Sequence, residues 1–202
     1  MRRLMAILLC LFAGSLHAQE TQLLKQVLTG LAAHPRVRAD FTQVRENPAL
    51  AHPQLSQGQL VFVTGHGMLW QITQPYRETL ALTGTRTARI DEHGRLQVTR
   101  GGDRGVAQVS LMLQSMLSGQ PDEALRMFDV EAHGSVDRWT LRFTPRQERM
   151  ARVLRAIELS GGEFLQGIVV SMQGGESTHI HFTGNRDAGA LSPLETQALG
   201  MP

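Results

Sequence analysis

Alternating apolar and polar positions are the clearest pattern in this chain, and the pattern is sharpest in GQLVFVTGHGMLWQITQP at residues 58–75. Leu60 and Phe62 fall on one side of the first run, before the connection TGHG. Met68, Trp70 and Ile72 fall on one side of the second run. Two such runs joined by a short glycine-containing connection predict a β-hairpin with these bulky side chains on one face.

The same two-residue period recurs along most of the chain. Each run ends at a glycine or a charged turn, as is typical of antiparallel strands that are buried on one side only. The runs are RVRADFTQV, RETLALTG, TRTARID, GRLQVTR, DRWTLRFTP, RAIELS, EFLQGIVVSMQ and STHIHFTG. Together with the hairpin they predict about ten strands arranged mainly as a meander.

In a few segments the apolar residues recur with helical spacing instead of the two-residue period. TQLLKQVLTGLAAHP predicts an N-terminal helix that ends at Pro35, and VAQVSLMLQSMLSG predicts a central helix that ends at Gly119. PDEALRMF and RQERMARVL predict two short helices. In the tail, Ser192, Pro193 and Glu195 fit an N-cap, a first-turn proline and a capping box.

These elements predict a fold that is mainly β with some α-helix. Many short strands in one domain-sized chain favour a strongly curved antiparallel sheet or barrel. The helices are too few to cover both faces of such a sheet, so we expect them to close one open side. We found no repeat, low-complexity tract or linker that would divide residues 19–202 into separate domains.

The first 18 residues have the composition of a secretory signal. Two arginines precede an apolar run that is too short for a stable membrane anchor, and small and polar residues follow it. The chain's one cysteine, Cys10, lies inside this segment next to Leu9, which is unsuitable for lipid attachment. We therefore expect a soluble periplasmic protein without a lipid anchor or disulfides, and a single domain over residues 19–202.

Charge and motifs exclude several functions. Removal of Arg2 and Arg3 with the signal leaves basic and acidic residues in equal number, which gives no electrostatic basis for binding nucleic acid. We found no phosphate-binding loop, nucleophile elbow or zinc-binding helix. His179 and His181 share a strand face, but no third ligand is evident, so a solvent-facing pair is the favoured interpretation. We therefore predict a monomer that is not an enzyme and has no metal or cofactor. A small periplasmic hydrolase is a less favoured alternative.

The large apolar side chains of the hairpin and the central helix allow two interpretations. Met68, Trp70 and Ile72 are either ordinary core residues or the wall of a site for an apolar guest. Met112 and Met116 in the central helix have the same ambiguity, because methionine is common in cores and also suits surfaces that repack around variable guests.

The order of motifs resembles the LolA family of periplasmic carriers of outer-membrane lipoproteins. GQLVFVTGHGMLWQITQP is similar to the hairpin that marks this family, and MLWQITQP is its most specific part. An N-terminal helix and RADFTQ precede it. LALTGTRTARIDEHGRLQV, a helical insertion and WTLRFTP with closing strands follow it. The resemblance covers essentially the whole chain after the signal.

This resemblance implies a half-open antiparallel β-barrel covered by a helical lid, with acyl chains held between the two. The family's cavity positions correspond to Leu60, Phe62, Met68, Trp70 and Ile72. The alternation of the strands adds Phe41, Leu80, Leu82, Leu141 and Phe143, and the central helix would supply the lid residues Met112, Leu113, Met116 and Leu117. The implied partners are acylated cargo, an inner-membrane release complex and an outer-membrane acceptor.

One position departs from the family pattern. Where the family has an arginine followed by proline at the end of the first hairpin strand, this chain has Thr64 and Gly65. The family's arginine is thought to bond the lid backbone, and threonine lacks its charge and its fork of donors. Two expectations therefore stay open: a lipoprotein carrier, or a related carrier of another acylated molecule such as a glycolipid or a lipid-linked pigment.

Overall fold

The computed structural model describes residues 20–83, 86–91, 95–98 and 104–202. The predicted signal segment at residues 1–18 lies outside the described residues. Helix α1 occupies residues 20–32, and Pro35 follows it as the period-3.6 pattern predicts. The other helices are α2 (Arg104–Leu117), α3 (Asp122–Met127), α4 (Glu148–Ala151) and α5 (Pro193–Ala198).

The described residues form eleven β-strands, all paired antiparallel. They are β1 (Arg36–Glu46), β2 (Gln54–Val63), β3 (Gly67–Gln74), β4 (Glu78–Thr83), β5 (Arg86–Ile90), β6 (Leu96–Val98), β7 (Phe128–Ser135), β8 (Arg138–Pro145), β9 (Leu154–Gly161), β10 (Leu165–Met172) and β11 (Ser177–Asp187). The sequence analysis placed a strand in each of these segments except β7. There FDVEAHGS carries a period-two pattern in Phe128, Val130 and Ala132, but it follows a helix directly.

One sheet contains every strand, in the order β6-β5-β4-β3-β2-β1-β11-β10-β9-β8-β7. It consists of two meanders, β1–β6 and β7–β11, which are joined in the middle by pairing of β1 with β11. Strands β6 and β7 stand at opposite ends of the order, so the sheet does not close on itself. The predicted class, a mainly β protein with a half-open antiparallel barrel, is confirmed.

The first hairpin depends on a close backbone approach. The turn at residues 64–66 joins β2 to β3, and Gly67 begins β3 with a φ of 121°. A Cβ atom at this position would lie 2.2 Å from the carbonyl oxygen of Leu82 on β4. Only glycine fits there, so the second glycine of TGHG allows three strands to pair at this corner.

The two faces of the sheet are covered differently. We call the face that carries Phe41, Leu60 and Phe62 the inner face, and helices α1 and α2 contribute side chains to its core. On the opposite, outer face, a smaller apolar cluster that includes Val61, Leu69 and Ala81 is covered by α5 and the residues around it. Burial of these two apolar surfaces is the main driving force for the fold.

Helix α5 is fixed to the outer face by polar contacts as well. The Ser192 side chain accepts a hydrogen bond from the backbone N–H of Glu195, and the Glu195 carboxylate accepts one from the Ser192 N–H, which confirms the predicted capping box. The same carboxylate accepts two hydrogen bonds from the Arg38 guanidinium on β1, at 2.8 and 3.2 Å. Such a two-pronged pair fixes orientation as well as distance.

The environment of Glu195 alters its pKa. Burial raises the pKa, but the hydrogen bonds from Arg38 and Ser192 and the charge of Arg38 outweigh this effect and hold it below the ordinary value. A lowered pKa in the folded state means that the carboxylate contributes stability above the ordinary carboxyl pKa. That contribution is lost as the pH falls through the lower, folded-state pKa.

We predict that Glu195→Gln lowers the free energy of unfolding at neutral pH by about 2–3 kcal/mol, because it leaves the half-buried Arg38 guanidinium without its counter-charge. Urea denaturation would measure this difference. The difference in the free energy of unfolding between wild type and variant is expected to narrow as the pH falls through the lowered, folded-state pKa of Glu195, where the wild-type carboxylate is also neutralised.

Glu148→Gln is the matched control. Glu148 pairs with Arg152 on the exposed surface, with side chains 91% and 78% exposed, and such pairs contribute little. We expect a change below about 0.5 kcal/mol at any pH. Equal effects of the two variants would contradict a special role for the Arg38–Glu195 pair.

Candidate lipid-binding site

Cross-strand pairing in the first meander arranges the side chains of the inner face in rows. Phe62 on β2 pairs with Met68 on β3, which pairs with Leu82 on β4. One row further along, Leu60, Trp70 and Leu80 are aligned in the same way. Partners across antiparallel strands share a face, so these rows form a continuous apolar wall.

An aromatic cluster lies in the middle of this wall. The rings of Phe41 and Trp70 are 4.2 Å apart between centroids, and Phe182 on β11 meets Trp70 edge-on at 6.1 Å. Gly58 on β2 pairs with Phe41 on β1 and with Ile72 on β3, and a Cβ atom at Gly58 would lie 1.9 Å from the Gln71 carbonyl oxygen. The Trp70 indole contacts Phe41 of the first meander and Phe182 of the second, so it joins the two meanders.

The second meander supplies the rest of the inner core. Leu141 pairs with Leu159 and Phe143 pairs with Ile157, and all four side chains are fully or almost fully buried. The ring of Phe143 also meets Phe128 edge-on at 6.0 Å. This half of the inner face is therefore densely packed against neighbouring strands and helices.

Helix α2 covers the inner face with the residues that the sequence analysis assigned to a lid. Met112 and Met116 are completely buried, Leu113 is 6% exposed, and Leu117 packs partly buried against the same core. The repeat of three and four residues among them places one stripe of the helix toward the sheet. The structure thus brings the predicted lid residues and all of the predicted cavity residues except Leu80 into one cluster.

The cavity between the helices and the sheet is small. It has a volume of about 30 Å³, is partly open, and lies among Leu31, Leu60, Phe62, Leu117 and Phe182, with other neighbours. That volume suits about one water molecule, whereas sites for small organic ligands occupy roughly 300–1,000 Å³. In this closed arrangement the helices themselves fill the place where a guest would lie.

Coverage of the inner face is uneven. Phe62, Met68 and Leu82 are buried, whereas Trp70, Ile72 and Leu80, which lie further from the turn at residues 64–66, are partly exposed. The wall therefore continues beyond the helical cover as an apolar rim.

A polar contact adds to the apolar packing of α2. The side-chain amide of Gln114 donates hydrogen bonds to the Leu82 carbonyl oxygen at 3.3 Å and to the Ser110 hydroxyl at 2.9 Å. Leu82 belongs to β4, so Gln114 ties the helix directly to the sheet. The helical spacing of four residues between Ser110 and Gln114 aligns the two side chains on the helix.

Thr64 makes no comparable tie. Its backbone N–H donates to the Pro35 carbonyl oxygen at 2.8 Å, but its buried hydroxyl has no hydrogen-bond partner among the described residues. At the position that the sequence resemblance matches to a lid-binding arginine, the Thr64 side chain therefore forms no latch to any described residue. Gln114 is the contact that sequence reasoning missed, because a glutamine within a helical stripe gives no sign of its partner on another strand.

The described residues offer no arrangement suited to metal chemistry. His179 and His181 are both exposed on β11, and the His179 ring lies 3.2 Å from the Ser177 hydroxyl. Nowhere in the described part of the chain do three or more His, Cys, Asp or Glu side chains converge in a way that could hold a metal ion. Among the described helices, none has the length and apolarity needed to cross a membrane.

The fold and its inner face define a half-open β-sheet protein whose apolar interior is closed by helices. The family model described as outer membrane lipoprotein carrier protein LolA-like matches residues 15–199, so the chain belongs to this LolA-like family. The expected family membership is confirmed. No match was found among the curated proteins.

Solved structures with a similar fold have little sequence in common with this chain. A LolA superfamily protein from Nitrosomonas europaea, NE2245, is 10% identical, with 84% of this chain and 94% of that chain covered and a TM-score of 0.47. A putative outer membrane lipoprotein-sorting protein domain from Vibrio parahaemolyticus is 10% identical, with 87% and 97% covered and a TM-score of 0.44. The Pseudomonas aeruginosa MucA/MucB complex is 14% identical, with 85% and 59% covered and a TM-score of 0.43.

We predict that Gln114→Leu loosens α2 from the sheet, since it removes the hydrogen bond to Leu82 and keeps the side-chain size. A loss of about 1 kcal/mol corresponds to roughly fivefold faster amide exchange in α2. Hydrogen–deuterium exchange resolved by segment would detect it. Gln26→Leu, on an exposed face of α1, is the control and leaves α2 protection unchanged. Unchanged α2 protection in Gln114→Leu would show that the amide does not hold the helix.

We predict that Thr64→Val stabilises the protein by about 1 kcal/mol, because it replaces a buried hydroxyl that lacks a partner with a methyl group of the same shape. Chemical denaturation would measure the change. In the matched control Thr73→Val, the lost hydroxyl donates to the Gln57 carbonyl oxygen at 3.2 Å, so no gain is expected. Destabilisation by Thr64→Val would mean that the hydroxyl is hydrogen-bonded after all.

Proposed function

We propose that this protein is a periplasmic carrier that shields the acyl chains of lipoproteins between its sheet and its helices and ferries them from the inner to the outer membrane. The observation that supports this most directly is the inner face itself, a continuous apolar wall that is covered by a helix rather than by a second sheet. Membership of the LolA-like family is the second support. The proposed role is binding and transfer rather than catalysis.

The energies involved suit reversible carriage. Transfer of one sixteen-carbon chain out of water gains about 12 kcal/mol, at roughly 0.8 kcal/mol per methylene. Displacement of Met112, Leu113 and Met116 from the inner face costs about 5–9 kcal/mol, at roughly 1.5–3 kcal/mol for each buried side chain. The guest therefore gains only a few kcal/mol over the lid, which permits both loading and release.

A second candidate function is carriage of another acylated molecule, such as a glycolipid or a lipid-linked pigment. Thr64 favours it, because the side chain at the family's arginine position forms no hydrogen bond among the described residues. The lid of this chain is tied by Gln114 instead. A carrier with a different lid contact is expected to differ in how easily it opens and hence in the cargo that it accepts.

In either case the carrier needs a donor and an acceptor at the two membranes. For lipoprotein cargo these would be an inner-membrane release complex and an outer-membrane acceptor, as in the family that the chain belongs to. The partly exposed rim around Trp70, Ile72 and Leu80 is the surface of the inner face that such partners and cargo would meet first.

We predict that a dibrominated stearic acid quenches most of the Trp70 fluorescence of the purified protein, because bromine quenches an indole only at close contact and Trp70 lies in the inner wall. Trp139, the other tryptophan, is 1% exposed and its N–H donates to the Gly162 carbonyl oxygen at 2.7 Å. Fluorescence titration with the brominated and the plain acid measures the effect.

Trp70→Phe is the control for the site of quenching. It keeps an aromatic ring in the wall and leaves Trp139 as the sole reporter, so bound acid is expected to quench it weakly. Binding of labelled acid without any Trp70 quenching would locate the acyl chain elsewhere. Absence of binding by the wild type, checked by gel filtration with labelled acid, would reject the carrier function.

The cargo itself can be identified from the protein isolated out of its own periplasm. Mass spectrometry of the organic extract and of the co-purifying polypeptides separates the two candidate functions. Acylated polypeptides support lipoprotein carriage, whereas glycolipids or lipid-linked pigments support the second candidate. Gln114→Leu is a useful companion sample, since a looser lid is expected to raise the amount of bound cargo.

A further inference from the structure

Two spaces lie on either side of the contact between α1 and α2. The inner one is the 30 Å³ cavity, to which Leu31 of α1 and Leu117 of α2 contribute. The outer one is a groove of about 620 Å³ at the surface, to which Ala32 of α1 and the adjoining Ser118 and Gly119 contribute. Neighbouring residues on the same two segments thus face the interior on one side and the groove on the other.

The wall between these spaces is thin. We call the contact of residues 31–32 with residues 117–119 the α1–α2 seam. A Cβ atom at Gly119 would lie only 2.9 Å from the Cβ atom of Ala32, so a small residue on each side allows the two segments to touch. At this point the Ala32 methyl group meets the Gly119 backbone, and Leu31 and Leu117 lie behind them on the side of the cavity.

Backbone hydrogen bonds do not cross the seam at this point. The N–H groups of Ala33, Ser118 and Gly119 donate to carbonyl oxygens of Gly30, Gln114 and Met116, which lie in the same helix as each donor or at its end. Separation of the two segments would break none of these bonds. Opening the seam therefore costs mainly apolar contact, which a guest chain can replace.

The groove has the character of a binding site for one apolar chain. Most of its exposed lining is apolar, and the larger apolar residues that line it are Leu24, Leu28, Pro121 and Leu125. Its polar lining residues are Thr21, Lys25, Thr29 and Ser118. Its volume falls within the roughly 300–1,000 Å³ typical of small-molecule sites and is about twenty times that of the inner cavity. An acyl chain could rest there with its polar head in water before it reaches the interior.

We infer that the α1–α2 seam is the gate through which an acyl chain passes between the outer groove and the inner face. This inference rests on the proposed carrier function and adds the route by which the acyl chain enters and leaves the interior. An acyl chain is the occupant because the groove is apolar, is separated from the apolar core by the seam alone, and has polar lining residues for a headgroup. Opening the seam joins the two spaces into one channel.

A reversible crosslink tests the gate. The chain's single cysteine, Cys10, lies in the predicted signal segment, so the double variant Ala32→Cys/Gly119→Cys introduces the only thiols of the remaining chain. The two Cβ atoms are close enough for a disulfide after a small shift, since such bonds span about 3.5–4.5 Å between Cβ atoms. Any strain that a cysteine causes at position 119 is present in both the oxidised and the reduced form. A comparison of the two forms therefore isolates the effect of the disulfide.

We expect the oxidised variant to take up a fluorescent sixteen-carbon fatty acid roughly tenfold or more slowly than the reduced variant, as for other gated sites. Stopped-flow fluorescence measures the rate, and reduction is expected to restore it. The control crosslink Thr140→Cys/Ser160→Cys joins cross-strand partners of β8 and β9 away from the helices, and its oxidation leaves uptake unchanged.

A wedge variant tests the gate in the other direction. Ala32→Leu places a larger side chain against Gly119 and is expected to hold the seam partly open, so that uptake becomes faster than in the wild type. Thermal melting shows whether the variant keeps the stability of the wild type, so that faster uptake can be distinguished from a general destabilisation of the fold. Slower or unchanged uptake in a folded Ala32→Leu variant would count against the gate.

The outcomes separate the gate from the carrier function. Uptake by the reduced variant together with blocked uptake by the oxidised one supports both. Equal uptake by the two forms overturns the gate, since α1 and α2 would then move as one cover, and leaves the carrier function in place. Absence of uptake by the wild type and by every variant overturns the proposed function and the gate with it.

Discussion

An apolar sheet that does not close on itself has to bury its inner face against something else, and this requirement governs the rest of the structure. A closed barrel satisfies that face with its own strands, whereas here β6 and β7 remain apart. Helix α2 contributes Met112 and Met116 to the inner core, and both are fully buried. Because hydrophobic burial is non-directional, a hydrocarbon chain could bury the same wall. In the proposed function the helix and the acyl chain would therefore compete for one surface.

The two faces of the sheet show how a protein separates a permanent cover from a displaceable one. On the outer face, α5 is fixed by the paired hydrogen bonds between Arg38 and Glu195 and by a capping box, which are directional and lost if the helix shifts. On the inner face, the described side chains of α2 contribute flexible methionines and an amide contact from Gln114 to the sheet. Thioether side chains repack at low cost, which suits the displaceable cover that the proposed function requires.

The alternation of apolar and polar residues was sufficient to predict the architecture, because a half-buried antiparallel strand has apolar side chains on its buried face and polar ones on the other. It placed side chains as distant as Phe41 and Phe143 on one face, and the structure has both in the inner core. It missed β7, where Phe128 ends a helix and starts a strand within one residue. It also missed the tie between Gln114 and β4, because contacts between elements depend on how a helix docks, which no local period records. The small size of the cavity between helices and sheet could not be predicted either, since composition does not report how well side chains interlock.

The position of the lid in the chain has a mechanical consequence. Helices α2 and α3 are inserted between β6 and β7, which are the two free edges of the sheet, so the cover is a strap anchored at both rims rather than a flap hinged at one. If a bound acyl chain displaced this strap, as the proposed function requires, both of its ends would stay attached to the sheet. Tethered segments act at effective concentrations of the order of millimolar, so the strap would cover the apolar inner face again in a fast unimolecular step after the cargo is released. The empty carrier would then bury its apolar interior before it could associate with a second copy of itself.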